Sequence, residues 1–367
     1  MQQIINDDCF NGLTELDEDL FDALITDPPY MFNTGLDELM IEDCLKHWLK
    51  QQRYSGRVTD RRLKVEWDNY CPSPALWKRV RRTMKEGAYG AVFAGAKTLD
   101  LMTMSLRLAG FQIRDVVMWT YSSGMPRGHS VERLVRGEDP ERAPLYSKVG
   151  TTLKPAYEPI VIVRNPASLN LANNALRNGP VGLQVGAARI GSEVRHNPSF
   201  GPNTGTGYKS ATELKGQEKE GRACVGRYPS NWLMDEQTAQ AFDEVYGGAS
   251  RFFYVDKPSK KEKGIDNDHP TVKPLSLMRY IARLVSPDGG NVLDPFAGSG
   301  TTGIACKLEN MSFTGFEANE HYARVARSRI DEADSDRYKA YMITVNRNKR
   351  KKSDKPLQME ISGLDDW

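Results

Sequence analysis

The chain has 367 residues with 50 basic and 48 acidic side chains, a formal net charge of +2, so a uniformly basic coat for nucleic acid is excluded and any polyanion contact must come from local clusters. Five cysteines, Cys9, Cys44, Cys71, Cys224 and Cys306, show no C-x-x-C spacing and the five histidines complete no ligand set, which points to a reduced, cytoplasmic protein without structural metal. No apolar stretch reaches the roughly 20 residues of a membrane span, and the start at Met1-Gln2-Gln3-Ile4-Ile5-Asn6-Asp7-Asp8 is not that of a signal peptide.

Up to about residue 118, short apolar runs alternate with longer amphipathic ones, the pattern of an α/β layer. Strands are expected at 3–5, 21–26, 88–94 and 111–118, and helices at 36–50, 74–85 and 98–109, the second opening on a proline as a first helical turn allows. A strand at 159–164 stops before Asn165-Pro166. Over 166–268 the alternation gives way to long polar stretches such as Arg195-His196-Asn197-Pro198-Ser199-Phe200-Gly201-Pro202-Asn203-Thr204-Gly205-Thr206-Gly207, and loops of this length are functional or disordered. An inserted recognition region is expected there. The alternation then resumes with a helix at 274–285, a strand at 291–294, a helix at 301–309, a strand at 312–317 and a helix at 320–333. One doubly wound sheet built from both ends of the chain follows. The end carries Arg347-Asn348-Lys349-Arg350-Lys351-Lys352 and then an acidic, polar stretch, read as a solvated tail or a phosphate contact.

Two short stretches carry the chemistry. Asp27-Pro28-Pro29-Tyr30 follows the apolar run 21–26, so its acid stands where a buried strand leaves the sheet, the edge at which open α/β sheets bind ligands. It offers a carboxylate, carbonyls in a turn whose prolines donate no N–H, and an aromatic ring, a set suited to a planar base held by its exocyclic amine. The bland alternative is a strand-ending turn with a buried tyrosine. Gly298-Ser299-Gly300-Thr301-Thr302-Gly303 is a G-x-G-x-x-G between strand and helix, with Glu317 closing the next strand. Glycines admit a ligand close to the backbone, a helix N-terminus supplies N–H donors and the acid takes ribose hydroxyls. A dinucleotide, S-adenosylmethionine and a structural Gly-rich turn all remain open on this loop alone.

The flanks distinguish them. His269-Pro270-Thr271-Val272-Lys273-Pro274 precedes the glycine loop, Asp294-Pro295-Phe296 leads into it, and Asp27-Pro28-Pro29-Tyr30 lies upstream; in this order the three resemble the β-group of DNA amino-methyltransferases. The resemblance covers roughly 1–120 and 265–330 through motifs, the middle only by its place in the order. It implies a Rossmann-like, mostly parallel, seven-stranded methyltransferase sheet, with 1–165 as the catalytic part, 166–268 as an inserted target-recognition region, 269–335 as the cofactor-binding part and 336–367 as a basic then acidic tail. It also implies S-adenosylmethionine as cofactor and double-stranded DNA as partner, and is compatible with a homodimer and a cognate restriction endonuclease.

Carried over by position, the resemblance places Phe296, Gly298 and Gly300 on the methionine and ribose side of the cofactor, with Asp294, Ser299, Thr301 and Asp27 along the same wall and Glu317 on the ribose hydroxyls. Asn6-Asp7-Asp8-Cys9 looks like the family's Gly-Asp-Cys stretch, with Asn6 departing from glycine, and makes Asp8 the contact to the cofactor's adenine. Thr271 and Lys273 fall beside the cofactor, although a surface cation is the other reading of Lys273. Asp27, Pro28, Pro29 and Tyr30 form the catalytic set. An exocyclic amine is a weak nucleophile because its lone pair is delocalised. Asp27 would accept one amine hydrogen and the Pro28 carbonyl another, localising that lone pair for direct in-line transfer. Tyr30 would stack on the base once it is turned out of the duplex. Adenine N6 is preferred to cytosine N4 because family members with aspartate before Pro-Pro-Tyr are mostly adenine enzymes. An oxidoreductase using the glycine loop for a nicotinamide dinucleotide, and a non-catalytic DNA-binding module, are the rivals from other classes.

DNA contacts are expected from Trp119-Thr120-Tyr121-Ser122-Ser123-Gly124-Met125-Pro126-Arg127-Gly128-His129, from Arg53, Arg57, Arg61, Arg62 and Lys64 before Trp67-Asp68, from 148–154, and from 222–231 with Tyr228 and Trp232 nearby. Each has a solvent-exposed alternative, and none spells a base code.

Overall fold

A computed structural model describes residues 1–31, 38–54, 68–121, 124, 128–179, 181–196, 199–200, 218–219, 223–234, 238–239, 267, 269 and 271–333. In chain order the strands are β1 (Gln2–Ile5), β2 (Phe21–Thr26), β3 (Met84–Phe93), β4 (Gln112–Thr120), β5 (Tyr157–Arg164), β6 (Ile190–His196), β7 (Ser199–Phe200), β8 (Glu218–Lys219), β9 (Ala223–Arg227), β10 (Trp232–Met234), β11 (Asn291–Asp294) and β12 (Ser312–Phe316). The helices are α1 (Cys9–Gly12), α2 (Glu38–Leu49), α3 (Pro74–Thr83), α4 (Leu99–Leu108), α5 (Val131–Glu138), α6 (Leu171–Asn178), α7 (Leu275–Val285), α8 (Thr301–Leu308) and α9 (Glu320–Asp331).

The central sheet runs β1-β12-β11-β2-β3-β5-β4-β10. All neighbours are parallel except β5, which is antiparallel to both β3 and β4. The seven expected strands are all present, and an eighth, β10, joins the edge beside β4 from within the polar 166–268 stretch. Three residues are too few to show a strand period. The expected helix over 74–85 ends at Thr83 instead, because Met84 already has extended backbone and opens β3. Of the expected helix over 36–50, residues 36 and 37 lie outside those described, as do 197–198 and 201–207 of the long polar stretch and the basic cluster at 347–352.

Side chains alternate across the sheet and are buried on both faces, which is why these strands read as continuous apolar runs. Ala23 and Ile25 of β2, Ala91 and Phe93 of β3, Ile160 and Ile162 of β5 and Val292 of β11 share one core with α7, α8 and α9. Phe21, Leu24, Val92, Val161, Val163 and Leu293 point the other way, into a core closed by α1, α2, α3 and α4. The sheet is therefore doubly wound, with helices on both faces.

Close packing explains two glycines of the 298–303 loop. A Cβ on Gly303 would lie 2.5 Å from Ile330 and 2.8 Å from Phe313. Gly300, the N-cap of α8, has φ of +80°, and a Cβ there would lie 2.9 Å from the Ala326 Cβ and 3.0 Å from its Cα. Backbone of α9 cannot retreat as a flexible side chain would. Gly300→Ala is expected to destabilise the fold by about 1–3 kcal/mol, measurable as a lower urea midpoint at unchanged slope.

Candidate active site at the carboxyl edge of the sheet

Parallel strands end on one edge, and the chain diverges to either side between β2 and β11, the switch point at which such sheets open a crevice. A cavity of about 530 Å³ lies there, and both Asp27 and the glycine loop line it.

The turn after β2 is fixed by groups from three other segments. Asp68 Oδ1 accepts the Tyr30 N–H at 2.6 Å and the Met31 N–H at 3.0 Å, and the Thr98 hydroxyl donates to the Tyr30 carbonyl at 2.7 Å. These bonds hold Met31 in the left-handed region, at φ of +62°. Asp27 is held at both oxygens: the Tyr30 hydroxyl donates to Oδ1, and Lys273 Nζ lies 2.6 Å from Oδ2. The same ammonium stands 3.3 Å from Glu158 and 3.3 Å from the Tyr30 hydroxyl, with its charge 5.0 Å from the centre of the Phe93 ring. Burial and the adjacent carboxylates of Asp27 and Glu158 push the Tyr30 phenol well above its ordinary range, so it stays a neutral donor. Burial alone would depress Lys273, but Asp27 and Glu158 outweigh it and raise its pKa, so it stays an ammonium.

On the opposite wall, Asp294 ends β11 and organises the loop that follows. Its Oδ1 accepts the Phe296 N–H at 3.0 Å and its Oδ2 the Thr302 hydroxyl at 2.6 Å. Arg329 of α9 donates to the Ser299 carbonyl and, at 2.9 Å, to its hydroxyl. Gly298 has φ of +52°, and a Cβ on it would lie 3.0 Å from His269 Nε2. Burial raises Glu317, against hydrogen bonds from the Asn319 and Gly298 N–H groups. Asp8 caps α1 through the Phe10 N–H at 2.8 Å and receives both guanidinium nitrogens of Arg53, at 2.6 and 2.9 Å. Burial opposes its charge, but Arg53 and Phe10 hold its carboxyl below the ordinary value.

Of the residues singled out in the sequence, Asp8, Asp27, Pro29, Thr271, Lys273, Asp294, Phe296, Gly298, Ser299, Thr301 and Glu317 line the one cavity. Pro28, Tyr30 and Gly300 are not on its wall; Gly300 faces α9, and Tyr30 packs against the core with its hydroxyl on Asp27. Lys273 is neither a surface cation nor aimed at the glycine loop: its ammonium meets Asp27. Sequence reasoning did not single out Glu158, Asp7, Tyr70 or Tyr322. Glu158 is the second residue of β5, and only because β5 is antiparallel does its beginning fall on the edge where the parallel strands end; strand direction leaves no mark in composition.

The expected DNA contacts fare unevenly. Trp119 and Tyr121 are buried and pack together at 5.2 Å between ring centres, so neither is an exposed loop aromatic. Arg53 is spent on Asp8, and Trp232 donates its indole N–H to the Thr120 hydroxyl at 3.0 Å. Arg57, Arg61, Arg62, Lys64, Ser122, Ser123, Met125, Pro126, Arg127 and Arg222 lie outside the described residues. Among those described, no group of His, Cys, Asp or Glu is placed to hold a metal, and no helix is long and apolar enough to cross a membrane.

Burial pushes the Asp294 carboxyl up to about 6, even against its hydrogen bonds from Thr302 and Phe296. A folded-state value above the unfolded one means the folded protein binds more protons between about pH 4 and 6, so this group's contribution to stability falls as pH rises through that window. Asp294→Asn keeps the Phe296 bond and loses the titration. Without added ligand, its melting temperature relative to wild type is expected to be near parity at pH 4 and to rise progressively towards pH 7.

The N6/N4 methyltransferase family model, described as DNA methylase, matches residues 21–328. The type II methyltransferase M.HindIII of Haemophilus influenzae is 23% identical over 347 residues, 89% of this chain and 94% of that protein. The type II methyltransferase M2.DpnII of Streptococcus pneumoniae is 38% identical over 73 residues, 20% of this chain and 27% of that protein, so the chain spans about a quarter of that relative. The crystal structure of the M1.HpyAVI–SAM complex aligns over 90% of this chain and 99% of that one, at 18% identity and a TM-score of 0.44. Because the family match runs from the start of β2 into α9, it takes in Asp27, Lys273 and the glycine loop of the cavity, and the chain belongs to the N6/N4 DNA methylase family.

Proposed function

We propose that the protein is a site-specific DNA methyltransferase that moves a methyl group from S-adenosylmethionine directly to the N6 of an adenine turned out of duplex DNA. The observation that carries this reading is the shared cavity: Asp27, an acceptor for an amine, lies across from a glycine loop and strand-end acid suited to an adenosine. A nicotinamide dinucleotide would leave Asp27-Pro28-Pro29-Tyr30 without a role.

The residues fit the cofactor. The cavity falls within the usual range for a small-molecule site, and Gly298 leaves beside His269 a space that a side chain would fill. Glu317 would hold ribose hydroxyls, Asp8 would meet the adenine, and Phe296, Gly298, Ser299, Thr301, Asp294 and Thr271 would complete the wall. Bound there, S-adenosylmethionine would supply an electrophilic methyl group.

Asp27 acts as an acceptor. Each of its oxygens already takes one donor, from Tyr30 and Lys273, and a carboxylate oxygen has a second lone pair to offer. One amine hydrogen would go to Asp27 and another to the Pro28 carbonyl, which turns the nitrogen lone pair out of conjugation. Tyr30 holds the carboxylate in place and presents its ring beside it. Cys9, on the same wall, is kept protonated by burial and is no nucleophile.

Residues 166–268 would read the target sequence, and the pairing of β10 with β4 supports this by tying that stretch to the catalytic sheet. The naming of the relatives as type II methyltransferases supports a cognate restriction endonuclease as a partner, and a homodimer is compatible with the reading. Cytosine N4 is the second reading, since the family joins both amines and their donor geometry is the same.

Incubation of the protein with labelled S-adenosylmethionine and PCR-amplified genomic DNA, followed by nucleoside analysis, is expected to give N6-methyl-2′-deoxyadenosine. N4-methyl-2′-deoxycytidine alone would establish the second reading, and the absence of both would refute methyl transfer to DNA. Asp27→Ala is expected to lower turnover by about 100-fold or more while affinity for the uncharged product S-adenosylhomocysteine, measured by calorimetry, stays within about threefold.

A further inference from the structure

Lys273 brings a positive charge into the interior beside the proposed methyl acceptor, where an unpaired ammonium would be costly. One carboxylate would neutralise it. The structure supplies two: Asp27 at 2.6 Å and Glu158 at 3.3 Å, with side-chain exposures of 9% for Lys273, 17% for Asp27 and 25% for Glu158. The Tyr30 hydroxyl completes the cluster as a neutral donor to Asp27.

Resting on the reading of the cavity as an S-adenosylmethionine site, we infer that Glu158 and Lys273 are a positioning pair for Asp27: Lys273 fixes its carboxylate, and Glu158 restores the negative charge that Lys273 cancels. Two carboxylates against one ammonium leave the cluster a single net negative charge beside a cavity that Asp27 and Lys273 line and that would receive a cationic sulfonium. The amine nitrogen gains that positive charge as its lone pair forms the new N–C bond and the C–S pair stays with sulfur, and it then releases a proton to water. A cluster of zero net charge would favour neither the ligand nor the nitrogen cation. The fold makes the arrangement available, since Glu158 is the second residue of β5, opposite Trp119, and Lys273 immediately precedes Pro274 at the N-cap of α7.

The test compares wild type, Glu158→Gln, Lys273→Met and the double variant for binding to S-adenosylmethionine and to S-adenosylhomocysteine, which differ by one methyl group and one positive charge. Glu158→Gln is expected to lower the ratio of the two affinities by about threefold to tenfold, Lys273→Met to raise it, and the double variant to return near wild type because its net charge is restored. Glu158→Asp, which keeps the charge, is expected to preserve both the ratio and turnover, whereas Glu158→Gln loses turnover with little change in KM for DNA. It also serves as the folded control if Glu158→Gln melts early. A ratio that is the same in wild type, Glu158→Gln and the double variant overturns the inference. A wild-type protein that binds neither ligand overturns the cofactor assignment instead.

Discussion

Leu293 beside Leu24 in the sheet is the pairing from which the site follows. Val292 and Leu293 of β11 lie against Ala23 and Leu24 of β2 in parallel register, and the side chains of each strand are divided between two buried cores. A slip of one residue would send every side chain into the wrong core, so the register is strongly specified. With that register set, Asp294 and Asp27 leave the sheet side by side. The glycine loop and the turn at Asp27–Tyr30 then share a cavity although about 270 residues separate them in sequence.

The carboxyl edge gathers acids, and each is restrained differently. Asp27 is clamped by a phenol and an ammonium, Asp8 by a guanidinium, and Asp294 and Glu317 by backbone N–H groups together with, for Asp294, the Thr302 hydroxyl. Neutral donors leave Asp294 with a raised pKa, whereas Arg53 leaves Asp8 with a lowered one. The edge thus has a graded electrostatic character, set less by which residues are acidic than by what each acid is given as a partner.

Much of this was legible in the sequence. Runs such as 21–26 and 291–294 declare strands because both faces are buried, and the glycine loop declares itself through spacing that only close backbone packing demands. What stayed hidden depends on direction and distance. Glu158 sits before an apolar run like many solvent-facing acids, and its place beside Lys273 requires β5 to run against its neighbours. Trp119 and Tyr121 read as loop aromatics at the end of β4, yet both are buried in the core shared with Leu233 of β10. Gly300 belongs to a ligand motif by spacing, while its Cα faces Ala326 of α9, a helix twenty residues further on.

The β2–β11 pairing also orders events in time. A chain emerging from the ribosome presents Phe21–Thr26 long before Asn291–Asp294 exists, so until then one hydrogen-bonding edge of an apolar central strand lacks its partner. Contacts of such sequence separation close slowly, and the interval leaves a nascent strand open to pairing with other chains. The geometry that sets Asp27 beside the glycine loop in the finished molecule therefore exposes the unfinished one, and the cavity is complete only when nearly the whole sheet has been made.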